Sequence, residues 1–379
     1  MKVRSRSVTL PVPVCAAGLV LLSTTAANAE TRRVPQQYPT IQAAINASID
    51  GDTVLVGRGI WSGPGNHDID TLGKAITVRS VGGAATCVID ASDSVNWYHS
   101  GFVFTNSESP ETVIDGFTIM NGYSFNGGGI YVESGSPTIQ NCILTANTCD
   151  CWGAAVYFNS QTSPTLRNCL ITGNTSAAEG GGIFTIDSGG RVENCIITDN
   201  VANTGGGLCI FGGDVEFVSC QVTGNTATWS GGGGYFYEGN LINCTIADNH
   251  AAFDSAGIYT WSNVTTIANS IIWGNTGAAQ LTGTPILSYS IVEGGFAGSH
   301  IRSVDPRFVD AAAGDYRLRA LSPAIDAGSN PAVPEGFAVD ADGMPRFVND
   351  AKTRDTGVGP FPIIDLGAFE FRATLTNPK

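Results

Sequence analysis

The sequence predicts an all-β solenoid: a single-stranded parallel β-helix with a short N-terminal capping helix and an irregular C-terminal capping region. Three observations predict it. Six segments superimpose: NCILTAN (141–147), NCLITGN (168–174), NCIITDN (194–200), SCQVTGN (219–225), NCTIADN (243–249) and NSIIWGN (269–275). Their Cys/Ser positions, Cys142, Cys169, Cys195, Cys220, Cys244 and Ser270, step by 27, 26, 25, 24 and 26 residues, the period of a chain whose coils stack on one another. A second set interleaves with the first: GGGIYVE (127–133), GAAVYFN (153–159), GGGIFTI (180–186), GGGLCIF (205–211), GGGGYFY (231–237) and SAGIYTW (255–261). Both sets alternate with period two, and the segments are too short and too rich in glycine for helices.

The first element in chain order is a targeting segment, residues 1–29. Lys2, Arg4 and Arg6 precede an apolar run from Val12 to Leu22, and Ala27-Asn28-Ala29 has the form of a cleavage site. The chain is expected to be exported, with a mature start at Glu30. Pro39 and Thr40 then open a short amphipathic helix over 40–49, with Ile41, Ala44 and Ile45 on one face to cover the first coil. The Asp50-Gly51-Asp52 turn leads into a strand at Thr53–Val56, and further strands are expected at Ala75–Ser80, Cys87–Asp90, Gly101–Thr105 and Thr112–Met120. The β-helix is placed at 30–300 and an acidic region at 301–379.

Parity assigns the faces of the repeats. The Cys column and the one two residues on (Leu144, Ile171, Ile197, Val222, Ile246, Ile272) are apolar throughout and point inward, while the variable residue between them, Gln221 or Thr245, points out. Asn147, Asn174, Asn200, Asn225, Asn249 and Asn275 form a turn column whose amides can bond between coils, a structural role. In the glycine-rich segments Ile130, Val156, Ile183, Leu208 and Ile258 point inward. The aromatic positions Tyr131, Tyr157, Phe184, Tyr235 and Tyr259, with Tyr237 and Trp261 two residues further on, then face outward. A flat aromatic face of this kind suits sugar rings or a protein surface, and it is the candidate ligand-binding site.

Composition narrows the partners. The net charge of −14 becomes −17 when the three cations of the targeting segment are removed, and no lysine lies between Lys74 and Lys352. Such a surface repels nucleic acid and anionic lipid, and favours neutral glycans, cations or proteins. No apolar run beyond the targeting segment is long enough to span a bilayer, and the chain is expected to be a monomer. Nine cysteines follow the targeting segment, an odd number, and five of them occupy the inward column, where unpaired buried thiols are expected and disulfides between neighbouring coils are the alternative.

The repeats ITGNTSAAEGGGIF and ITDNVANTGGGLCI resemble the right-handed β-helix repeats of exported bacterial proteins, and also the repeats of chlamydial polymorphic outer-membrane proteins, which are adhesins. The opening YPTIQAAI…GDTVLV is similar to the start of pectin methylesterase and related families. The stretch DPRFVD…GDYRLRALSPAIDAG…DADGMPR…IDLGAFEF (305–371) resembles the C-terminal region of secreted β-helix proteins described as having a choice-of-anchor Q domain. The resemblance implies a right-handed coil and export, and leaves activity open.

Since lyases, hydrolases and esterases use this fold, catalysis is tested residue by residue. Arg167 and Arg191 are the only cations between residues 80 and 300 and do not share a column. Asp199 and Asp248 occupy equivalent turns two coils apart and read as solvated turn carboxylates. His67, His99, His250 and His300 are scattered, with no nucleophile context. No catalytic residue is assigned. A surface binding module is the first reading, and a polysaccharide lyase, glycoside hydrolase or pectin esterase-like enzyme is the alternative. An open aromatic face would favour binding; a carboxylate cluster beside an arginine in an outer groove would favour an enzyme. Asp340 and Asp342, ahead of Gly343, have the spacing of a calcium loop, so Ca2+ is a candidate ligand there, an Asx-rich turn being the plainer alternative.

Overall fold

A computed structural model describes residues 28–92 and 98–373; the targeting segment lies, as far as residue 27, outside the described residues. The chain winds through about ten coils, and a complete coil contributes strands to three parallel sheets. Sheet A takes two strands from a typical coil, such as Thr138–Gln140 and Ile143–Thr145, and has 21 strands in all; sheet C has six and sheet B nine.

The bend inside sheet A explains the NC dipeptide. Asn141, Asn168, Asn194, Ser219, Asn243 and Asn269 all have φ of 50–54°, the left-handed region that Asn tolerates better than most residues. The next residue turns inward, and its thiol donates to the carbonyl two residues back, at 3.1 Å for Cys142 to Gln140 and 3.2 Å for Cys195 to Glu193. Ser270 does the same with its hydroxyl at 2.8 Å to Ala268, which is why the column accepts serine. All nine described cysteines are unpaired, and burial pushes the column thiols Cys142, Cys195 and Cys220 well above the ordinary thiol range, so they are inert.

Between sheets A and C runs the asparagine ladder. Asn200 Nδ2 donates to Ile171 O at 2.9 Å and to Asn225 Oδ1 at 3.0 Å, and its backbone N–H donates to that same Oδ1 at 3.0 Å. The pattern repeats from Asn147 to Asn275, where Gln280 ends it at 2.7 Å. Between sheets C and B the turn falls on Gly127, Gly153, Gly180, Gly205 and Gly231, with φ of 63–71°. The inward columns close one continuous core, including Ile130, Ile183 and Ile258; where Gly234 interrupts that column, the Phe236 ring fills the space.

Both ends are covered. Helix α1 (Ile41–Ala47) buries Ile41, Ala44 and Ile45 and is capped by the Thr40 side chain accepting from Ala43 N at 3.2 Å. The far end is closed by Phe296 and Ile301 packing on the core. The acidic region, expected to close that end, lies on the flank instead: Gly367 and Ala368 sit on the outer face of sheet A over Thr245 and Ile271, and Leu318, Ile325 and Leu366 pack with Ile271 and Ile291. Thr245 therefore points out of the coil, as parity requires, yet is buried. The physical reason is that the late coils carry Ile271, Ile291 and Trp273 on their outer face, an apolar patch that needs a cover.

That cover holds buried carboxylates. Burial pushes Asp326 up to about 6, helped by Asp355 and Asp350, and pushes Asp365 up to about 7 against the pull of Arg346. Both bind protons more tightly folded than unfolded, so their stabilising contribution is complete below about pH 4 and is lost as pH rises through 6 to 7. Amide exchange across residues 303–372 is expected to be slower at pH 5.5 than at pH 8 once the intrinsic pH dependence is removed. Asp365→Asn should flatten that difference.

Candidate functional site

The outward residues of sheet B lie in register, Tyr131 beside Tyr157, then Phe184, Cys209, Tyr235 and Tyr259. Parallel strands about 4.8 Å apart bring like side chains to ring-stacking distance. Ring centroids are 5.3 Å apart for Tyr131–Tyr157, 5.7 Å for Tyr157–Phe184 and 4.8 Å for Tyr235–Tyr259, all within 9° of parallel. At Cys209 the column loses its ring, and the ladder steps across to Phe211, 5.6 Å from Phe184 and 6.3 Å from Tyr235.

This ladder lies outside the core as expected, but it is not open along its length. Trp152, arriving from sheet C, packs parallel to Phe184 at 5.3 Å and to Tyr157 at 6.4 Å. Tyr157 is left 5% exposed and Phe184 1%, so these two are corrected from contact residues to members of a satellite core. Parity shows only which way a side chain leaves the strand; Trp152 is what covers it. Rings stacked along the coil axis also turn their edges, not their faces, to solvent. The later coils differ. Tyr235, Tyr237 and Tyr259 are half-buried, and Trp261 is 60% exposed, tilted 35° to Tyr237 and 41° to Tyr259. Trp261 is thus the ring able to offer a face. Burial raises the Tyr157 phenol to about 12 and pushes Tyr235 upward as well, the latter with help from Tyr237, so both remain neutral hydrogen-bond donors.

A second concavity, about 510 Å³, lies between sheet A and the returning loop, lined by Arg167, Arg191, Glu193, Glu335 and Phe337. The two arginines come from different columns, Arg167 pairing in register with Glu193 and Arg191 with Thr165, yet they share this groove. Arg191 is held by Glu216 at 2.6 Å and by Glu193 at 3.4 Å, and Arg167 donates to Gln140 at 2.7 Å. An arginine neutralised by two carboxylates is a poor base, so the groove has the composition of an enzyme cleft without a free proton acceptor at Arg191.

Of the other candidate carboxylates, Asp248 and Asp340 accept hydrogen bonds from the protein, while Asp199 and Asp342 are exposed. Asp199 and Asp248 adopt φ of 56° and 53° in the turns and stay exposed there, Asp248 also accepting from Tyr316 at 2.7 Å at the edge of the C-terminal cover. Asp340 is fully buried, accepting from the backbone N–H of Asp342, Met344 and Glu370 at 3.0, 2.9 and 3.1 Å and from Arg372 at 2.7 Å. The Asp340–Gly343 stretch is an Asx turn in which Arg372 already occupies Asp340 Oδ2, while the Asp342 side chain is exposed. The histidines are not all scattered: His67 and His99 come together around Asp68. Sequence spacing missed this because their approach depends on how two irregular early coils stack.

Residues 66–227 match the family model described as right handed beta helix region. No curated protein matches the chain. Among solved structures, a pectate lyase, Pel9A, is similar over 87% of this chain and 90% of its own, with a TM-score of 0.50 at 14% sequence identity. At that identity the similarity speaks for the fold: an all-β right-handed parallel β-helix. No helix of the described residues is long and apolar enough to cross a membrane.

Proposed function

We propose that the chain is an exported binding module that takes neutral glycans on the aromatic face of its late coils, centred on Trp261 with Tyr237 and Tyr259. The observation that carries this reading is the change along the ladder from self-stacked, covered rings to a tilted indole 60% exposed beside two half-buried phenols. An indole face covers the C–H face of a sugar, and a neutral phenol beside it can hydrogen-bond to a hydroxyl. The acidic balance of the chain supports a neutral over a polyanionic sugar. That a pectate lyase uses the same coil is a reason to include plant polysaccharides among the ligands tried.

In affinity electrophoresis against a panel of soluble polysaccharides, retardation is expected with at least one neutral glycan. Trp261→Ala should weaken it about 10-fold, the loss of one good ring contact. Tyr157→Phe, which keeps the covered ladder intact, should leave it unchanged. Equal retardation of Trp261→Ala and the unaltered chain would overturn the assignment. The groove at Arg167 and Arg191 is the observation that favours an enzyme, and release of oligosaccharides from the same panel, lost in Arg167→Ala, would establish that second reading.

A further inference from the structure

We propose that His67, Asp68 and His99 form a binding site for a divalent ion of the zinc class, open to a groove at the start of the aromatic ladder. The three residues each offer a ligand atom, and these atoms lie within 4.8 Å of one another. Both imidazoles turn Nδ1 toward the same carboxylate oxygen, Asp68 Oδ2, at 3.0 Å from His67 and 2.5 Å from His99. Their rings are only 3.9 Å apart between centroids. Two nitrogens and one oxygen converging in this way match the donor set of a borderline ion, for which imidazole is the preferred ligand; calcium, which takes oxygen ligands, fits poorly. At metal–ligand bonds of about 2.0 Å the donors of a tetrahedral site stand roughly 3.3 Å apart, so an ion enters with each donor moving less than about 1 Å.

The surrounding backbone holds the set in place. Asp68 has a φ of 48°, its N–H donates to Ser100 O at 2.7 Å, and its other oxygen accepts from Ser100 N at 2.8 Å, which orients the carboxylate. The His99 backbone is paired in both directions with Tyr123, at 2.6 and 2.9 Å. The imidazole side chains are 8% and 10% exposed, whereas that of Asp68 is 41% exposed, so the cluster meets solvent on the carboxylate side. There it borders a groove of about 340 Å³ lined by Asp68, Tyr98, Ser100, Phe125 and Tyr131. Among the described residues the set offers three donors, two nitrogens and one oxygen, with the carboxylate on the groove side. The site is independent of the Trp261 face.

The test uses the mature chain stripped with EDTA and dialysed, with Co2+ as a spectroscopic probe and Zn2+ as the competitor. The expected result is one equivalent of Co2+ with visible d–d bands, displaced by Zn2+ and not by Ca2+. His99→Ala and Asp68→Asn should each weaken binding at least about 100-fold, a ligand being worth no less than an outer-shell partner. Asp68→Asn retains the acceptor for Ser100 N–H, so it keeps the test decisive should His99→Ala fail to fold. Cys151→Ser, removing the one thiol that is not fully buried, should bind as the unaltered chain does. Absence of stoichiometric Co2+ binding, or binding retained in Asp68→Asn or lost in Cys151→Ser, would overturn the proposal.

Discussion

Asn225→Ala is expected to destabilise the chain by about 4 kcal/mol, far beyond an ordinary polar truncation. Asn225 Nδ2 donates to Ile197 O at 2.9 Å and to Asn249 Oδ1 at 3.0 Å, while its Oδ1 accepts two donors from Asn200, each at 3.0 Å. Removing the amide strands several buried groups, each costing about 1–3 kcal/mol less whatever water restores. Because each coil contacts mainly its neighbours, the damage should be local: amide exchange should accelerate in the coils around 194–250 more than around 53–120. Asn225→Asp is expected to be no better, since it keeps the acceptor, loses both donors and buries a charge. A melt of Asn225→Ala within about 1 °C of the unaltered chain would show that the ladder is not what holds the coils in register.

Gly205→Val should be comparably severe, at about 4 kcal/mol. Gly205 has φ of 64°, and a Cβ there would stand 2.3 Å from Leu208 O and 2.8 Å from Cys209 Cβ. The left-handed conformation costs a non-glycine residue about 1–2 kcal/mol, and forcing a branched side chain against neighbouring backbone adds about 1–3 kcal/mol. Two residues on, Gly207 makes an instructive control. It lacks the left-handed φ and its coil-to-coil column holds Ala155 in an earlier coil, but a Cβ there would stand 2.7 Å from Gly233 O, so Gly207→Ala should cost less than Gly205→Val without being neutral. Chemical denaturation of the three proteins side by side checks both statements.

Much of the architecture was legible because a solenoid repeats its local rules. The Cys column, the Asn ladder, the cap over 40–49 and the strand at Thr53–Val56 follow from period and parity, and the structure bears each of them out. Two further features of the coil have local causes. The left-handed bend at Asn141, Asn168 and Asn194 was in the NC dipeptide itself. The third strand, present in six coils, shifts register from one coil to the next at Ser124/Asn126 and at Ala202/Thr204, so its alternation is not carried along the repeat.

The sequence by itself determined that the chain coils, which side chains fill the interior, and which side chains leave it, because those depend only on contacts between equivalent residues one repeat apart. Tertiary structure alone decided what becomes of the outer face. Trp152 closes over Tyr157 and Phe184, the region after residue 303 folds back on Thr245 and Ile271, and His67 joins His99 at Asp68. Each of those contacts joins residues that no repeat relates, and such contacts leave no period in the sequence.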